Sequence, residues 1–229
     1  MKLQDDLLKL IMTDDGSSSI TNLALNENYH STRGAIGESL HVYIEKGLNY
    51  LKERGGMNKS VKILEIGFGT GLNAILSMDW ASKSSQKVAY TTIEPIPLEE
   101  PLYAQLQFKN WQENTQKIHQ SPWQIPFELS PFFSLTKIKT TLESYSNPDS
   151  IFDLIYFDAF SPSKQPGIWQ IQTLANCFRW LVPNGVLVTY CAQGQFKRNL
   201  KELGFVVEVL QGAMGKWEMV RGTKPSNKI

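Results

Sequence analysis

The chain of 229 residues carries 23 basic and 22 acidic side chains, and 41% of it is hydrophobic. That balance suits a globular protein able to bury one substantial core, and it excludes a long disordered span or a protein that coats nucleic acid by bulk charge. No run of about 18 apolar residues offers a transmembrane helix, "MKLQDDLLKLIM" lacks the order of a secretory signal, and Cys177 and Cys191 lack metal-ligand spacing, so a cytoplasmic protein with reduced thiols and no metal is expected.

Residues 7–25 read as a hairpin, two apolar segments joined by Asp14-Asp15-Gly16-Ser17. A helix from about Ile36 to Lys52 follows, ended by Gly55-Gly56. The chain then alternates. "VKILEIG" is a buried strand, "TGLNAILSMDWA" helical in period, "KVAYTTIE" a strand and "PLEEPLYAQLQFKNW" helical with Pro97 in its first turn. Residues 112–150 carry Pro122, Pro126 and Pro131 and give no clear pattern. Beyond them lie the strand "FDLIYFD", a helix from about Ile168 to Leu181, a turn at Pro183-Asn184-Gly185 and the strand "VLVTYCA". The helix "QFKRNLKEL" ends at Gly204, and "FVVEVL" and "KWEMVRG" close the chain as an antiparallel pair. Alternating β and α predicts a parallel sheet covered on both faces, in a single domain over 1–229 with residues 1–56 as an N-terminal extension.

The first strand runs into "LEIGFGTGLN", where Gly67, Gly69 and Gly71 let the backbone turn tightly against a ligand; a structural turn would use the same glycines. The third glycine comes one residue too early for a dinucleotide fingerprint. Glu65 would repel a pyrophosphate but suits the ammonium of S-adenosylmethionine, which favours that cofactor over NAD. Glu94, at the end of the next strand, is placed to accept two ribose hydroxyls. Asp158 ends a strand facing the same cleft. It reads either as the acceptor of a proton from a methylated amine or as the cap of its own turn. The charge is unevenly spread. Residues 1–30 set Lys2 and Lys9 against Asp5, Asp6, Asp14, Asp15 and Glu27, while residues 197–229 hold seven basic side chains against three glutamates. The basic end is either a solvated face and tail or a local strip for phosphates.

Together "EIGFGTGLN", "TIEPIPLEE", "DAFSPSKQPGIW", "PNGVLVTYCAQGQFKRNLKELGF" and "GKWEM" resemble the tRNA 5-methylaminomethyl-2-thiouridine methyltransferases, as does "YHSTRGAIGES" before the first helix. The likeness runs from about Tyr29 to Gly222. It implies a Rossmann-like class I methyltransferase fold: α/β, with a mostly parallel seven-stranded sheet, an antiparallel edge hairpin, and an N-terminal β-hairpin and helix. It also implies methylation of wobble 5-aminomethyl-2-thiouridine in tRNA from S-adenosylmethionine. Glu65, Gly67, Phe68, Gly69, Gly71 and Asn73 then fall in the cofactor loop, Glu94 takes the ribose, and Asp158 is the active-site acid. Lys164 and Trp169 would border the target base, although Trp169 also suits the apolar start of a helix. Lys197, Arg198 and Lys216, with Lys201 and Arg221, become candidates for contact with the tRNA backbone.

Two departures stand out. After the third strand "SPFFSLTKIKTTL" offers no acid for the adenine, and Trp217 replaces the basic residue that often follows the Gly-Lys pair. The family's flavin-dependent oxidase half is absent from these residues, so a separate oxidase would supply the amine. A methyltransferase of small amines and a non-catalytic binding module are the alternatives.

Overall fold

The computed structural model describes residues 7–55 and 60–226. Gly56 of the predicted helix stop and Lys2, Asp5, Asp6 and Lys228 of the charge tallies lie outside them. Strands β1 (Leu8–Met12), β2 (Ser18–Asn22) and β3 (Glu27–Asn28) form an antiparallel sheet, one short strand more than the hairpin predicted. Its first turn is built on Asp15, which accepts hydrogen bonds from the Thr13 hydroxyl at 2.7 Å and from Ser17 N–H at 3.1 Å, while Gly16 takes φ 77°. Helix α1 follows, α-helical over Ala35–Ser39 and Tyr50–Glu53 and π-helical over Leu40–Asn49.

The main sheet has eight strands in the order β10-β11-β9-β8-β4-β5-β7-β6. These are β4 (Ser60–Ile66), β5 (Lys87–Ile93), β6 (Pro126–Ser130), β7 (Phe133–Ile138), β8 (Phe152–Phe157), β9 (Leu181–Thr189), β10 (Val206–Gln211) and β11 (Glu218–Thr223). The core pairs are parallel, and β10 and β11 form the expected antiparallel pair at one end. The strand beyond the seven expected is β6, from the segment that its prolines made illegible. Pro126 opens an edge strand, where a missing N–H costs no ladder bond, and β6 turns at Pro131 to pair antiparallel with β7. Pro183-Asn184-Gly185 is a bulge inside β9 rather than a turn before it, with Asn184 at φ 65°.

The remaining helices are α2 (Leu72–Ser84), α3 (Glu100–Tyr103), α4 (Gln112–Gln120), α5 (Ile171–Trp180) and α6 (Gly194–Glu202), with a 3-10 turn over Pro166–Trp169 before α5. The helix read over residues 97–111 shrinks to the single turn of α3. Side chains of the central strands divide by parity. Leu154 and Tyr156 join the core under α1 and α2, while Ile155 and Phe157 join the one under α5 and α6. Both faces of β8 are therefore buried, which explains its unbroken apolar run.

Helix α1 seats closely on the sheet at Gly47, where a Cβ would already lie 3.3 Å from the Tyr156 ring and 3.4 Å from Leu154 and Val188. Gly47→Leu overpacks this contact and is expected to cost about 1–3 kcal/mol, read as a lower urea midpoint at unchanged slope.

Candidate functional site

Strand order reverses at β4: the chain steps outward through β5 and β7, then returns to β8 on the other side. The loops after β4 and β8 therefore part over a crevice at the carboxyl ends of the strands. A cleft of about 900 Å³ occupies it, roofed by the small N-terminal sheet and by α1. That roof is fastened across the crevice. Glu27 accepts hydrogen bonds from Ser161 N–H at 3.0 Å and from the Ser161 hydroxyl at 2.8 Å, and Tyr29 meets Phe160 edge to face at 5.1 Å.

On the cleft floor, Gly67 has φ 90° and sits so near the end of β8 that a Cβ would lie 2.4 Å from the Asp158 carbonyl. Only glycine lets the two loops meet here. The next N–H groups, of Phe68 and Gly69, donate to one oxygen of Glu94 at 3.1 and 3.2 Å, and Ile96 N–H donates to the other at 2.9 Å. Burial raises the Glu94 carboxyl above the usual range, against these three bonds. The Phe68 ring lines the cleft and packs on His119 and Trp123. Gly71, at φ 73°, opens helix α2, whose first turn carries Asn73.

Asn73 joins the two remaining carboxylates. Its Nδ2 donates to Glu65 at 3.0 Å and to Asp158 at 2.7 Å. Glu65 is 0% exposed and does not line the cleft; it lies beneath the floor, with Asn73 above it. The direct contact with a ligand ammonium read from the sequence does not fit this burial, because Glu65 has no surface on the cleft. The strand register explains the burial: Glu65 shares the face of Ile63, flanked by Thr92 on β5 and Tyr156 on β8. Glu65 Oε2 and Asn73 Oδ1 are buried without a hydrogen-bond partner. The Thr92 and Tyr90 hydroxyls turn toward Glu65 without completing a bond of normal geometry. Desolvation, and then Asp158, push the Glu65 carboxyl well up. Burial likewise raises Asp158 to about 6, opposed by the Tyr43 hydroxyl and Asn73. Among the described residues neither carboxylate has an ion pair.

The substrate-side expectations divide. Lys216 lines the cleft, ion-paired to Glu38 with its ammonium 4.2 Å from the Tyr190 ring centre. Lys164 does not line it: the turn closed by Lys164 N–H on Ser161 O, at 2.8 Å, leaves the side chain in solvent, and Gln165 and Ile168 form the wall instead. Trp169 is corrected to a core residue. It is 4% exposed, donates to Phe160 O at 2.9 Å and packs on Phe157 and Phe196, so its ring is unavailable to a base. The basic strip is also largely neutralised. Lys197 pairs with Glu218 at 2.9 Å, and Arg221 is buried against Glu208 and the Tyr50 ring. Arg198 and Lys201 are exposed, and neither lines the cleft.

Several cleft residues were missed in the sequence. Glu38 and Tyr43 come from α1 and Tyr190 from the end of β9, each remote in sequence from the motifs. Glu143 is the first acid after β7. It stands one residue beyond "SPFFSLTKIKTTL", five past the end of β7, and lines the cleft beside Leu142. Its signal in the sequence is that it is the nearest acid after the strand.

Residues 99–225, more than half of the chain, match the family model described as S-adenosyl-L-methionine-dependent methyltransferase. The chain is 28% identical over 235 residues to the tRNA 5-methylaminomethyl-2-thiouridine biosynthesis bifunctional protein MnmC of Azoarcus sp. (strain BH72), with 93% of this chain and 35% of that protein covered. The MnmC of Cupriavidus necator is 29% identical over 203 residues, covering 83% and 31%. The chain thus spans about a third of the length of these curated relatives. Among solved structures, MNMC2 from Aquifex aeolicus superposes with a TM-score of 0.78 at 23% identity, over 96% of this chain and 70% of that one, and shares the fold. Among the described residues no helix is long and apolar enough to cross a membrane.

Because the folded protein raises Asp158 from 3.8 to about 6, the native state holds the proton more tightly than the unfolded state. Stability from this group is full below about pH 4 and falls as pH rises to about 6. Asp158→Asn is expected to remove that part of the slope, measured by urea unfolding at pH 4, 5, 6 and 7.

Proposed function

The chain belongs to the S-adenosyl-L-methionine-dependent methyltransferase family, and on that premise we propose that it methylates the aminomethyl nitrogen of wobble 5-aminomethyl-2-thiouridine in tRNA. The observation that carries this reading is Asp158, a half-buried carboxylate with no ion pair among the described residues, held at the cleft floor by Asn73.

The residues fit the cofactor. Asp158, ionised at neutral pH and tied through a neutral amide to Glu65 below it, gives the cleft floor a negative charge that favours a ligand bearing an ammonium and a sulfonium and disfavours a pyrophosphate. The unpartnered Asn73 Oδ1 is an acceptor for the ammonium. Glu94, fixed by three backbone N–H groups, keeps lone pairs for ribose hydroxyls, and Glu143 stands where an adenine amino group would be met. When bound, S-adenosylmethionine supplies an electrophilic methyl group.

This chain's own part is to position the amine and receive its proton. Asp158 is ionised at neutral pH, so it accepts an N–H of the amine and orients the nitrogen lone pair along the line of attack. As the new N–C bond forms, the nitrogen loses a proton to Asp158 Oδ, which returns it to solvent. Lys216 stands at the acceptor end, held by Glu38. A wobble base already lies in a loop, and such bases splay out of their stack at low cost. The primary amine would come from a flavin-dependent oxidase, in the cytoplasm where tRNA is modified. The neutralised basic strip favours a second reading, a methyltransferase of small free amines.

Mass spectrometry of tRNA carrying the primary amine, incubated with the protein and cofactor, separates these readings. A wobble nucleoside heavier by one methyl is expected; methylation of free amines with tRNA untouched overturns the proposal. Asp158→Asn should lower kcat by about 10²–10⁴-fold, and wild-type kcat should rise with pH through about 6 as Asp158 ionises. Addition of S-adenosylhomocysteine should raise the melting temperature of the wild type, and less so that of Glu94→Ala.

A further inference from the structure

The loop between β10 and β11 carries a side chain that the fold does not use. Trp217 is 94% exposed, whereas the other five tryptophans are buried or half-buried in the cores. An indole left wholly in water contributes nothing to this chain's own packing. The backbone around it is nevertheless firmly placed. Gly212 N–H donates to Trp217 O at 3.2 Å, and Lys216 N–H donates to Ala213 O at 2.9 Å. The tip is pinned on the start of α1 by Met214, whose Cε leaves only 2.1 Å to a Cβ built on Gly37. The Arg33 guanidinium lies against Gly215.

Position gives this exposed ring its meaning. Its neighbour Lys216 turns into the cleft beside Asp158, and its other neighbour, Glu218, pairs with Lys197 of α6. Trp217 thus stands on the rim of the reaction cleft, next to the acceptor end. Arg33, against the same loop, has no acidic partner among the described residues, and neither does Arg198 on the turn of α6 that carries Lys197. A rigidly based aromatic face with unpaired guanidinium groups nearby matches the way single-stranded nucleic acid is held, by base stacking with a cationic track for the backbone.

We propose that Trp217 is a stacking platform for a base next to the nucleotide whose amine enters the cleft, so that the enzyme grips its RNA at the rim through an aromatic face rather than through the internally paired lysines. This rests on the tRNA reading above. It adds a residue that determines binding of the RNA strand and takes no part in methyl transfer.

The test is titration of the full chain with an anticodon stem-loop RNA while following tryptophan fluorescence. Stacking on the one fully exposed indole should quench emission, and Trp217→Phe should bind with little quenching. Trp217→Ala should bind about tenfold more weakly, the loss expected for one base–aromatic stack, with the effect on KM for tRNA rather than on kcat. Its melting temperature should match the wild type, because the ring packs on nothing. If the stem-loop binds equally well to wild type and Trp217→Ala, the platform is overturned while the tRNA reading stands. If no RNA binds but free amines are methylated, both fall. Self-association in sedimentation that Trp217→Ala abolishes, with RNA affinity unchanged, would assign the ring to a protein contact and overturn the proposal.

Discussion

The site depends on one amide. Asn73 sends both hydrogens of its Nδ2 to carboxylates, Glu65 below the cleft floor and Asp158 at its surface. Without that bridge two negative groups would face each other in a poorly solvated space, and each would be stabilised only by taking up a proton. With it, Asp158 sits near 6 and is ionised at neutral pH, while the more deeply buried Glu65 is pushed well up. The amide thus serves two acids at once, one under the floor and one at its surface. The surrounding backbone serves this arrangement: Gly67 brings the two loops together, and the start of α2 aims Asn73 at both.

The small N-terminal sheet and α1 complete what the sheet leaves open. The crevice of a doubly wound sheet is exposed on its outer side, and here Glu27 ties the roof to Ser161. Helix α1 brings Tyr43 beside Asp158, and its Glu38 restrains Lys216. The end of the cleft around Asp158 and Lys216 is therefore assembled from the first and last thirds of the chain, whereas the end around Glu94 comes mainly from the loops after β4, β5 and β7.

Local patterns carried much of this in the sequence. The run "FDLIYFD" announced a strand buried on both faces, and the array of Gly67, Gly69 and Gly71 after "VKILEI" announced a tight loop at a strand end. The same reading failed where local pattern and tertiary role part. Pro126 and Pro131 seemed to break structure, yet they delimit an edge strand, because only pairing on one side tolerates a missing donor. Trp169 and Lys164 share a motif with Asp158, but the turn after Ser161 sends one into solvent, and the apolar core takes the other.

By itself, the sequence determined the alternation of strands and helices, the family resemblance and the three carboxylates at strand ends. Those features are written in the 2.0 and 3.6 periodicities and in residues that must lie close along the chain. Tertiary structure alone decided which of those carboxylates meets the cleft, which cations are already spent on internal partners, and which aromatic rings remain free. The physical reason is that strand register, ion pairing and burial depend on groups far apart in sequence: Glu65 goes under the floor because of its neighbours on β5 and β8, and Lys216 is held by an acid 178 residues away.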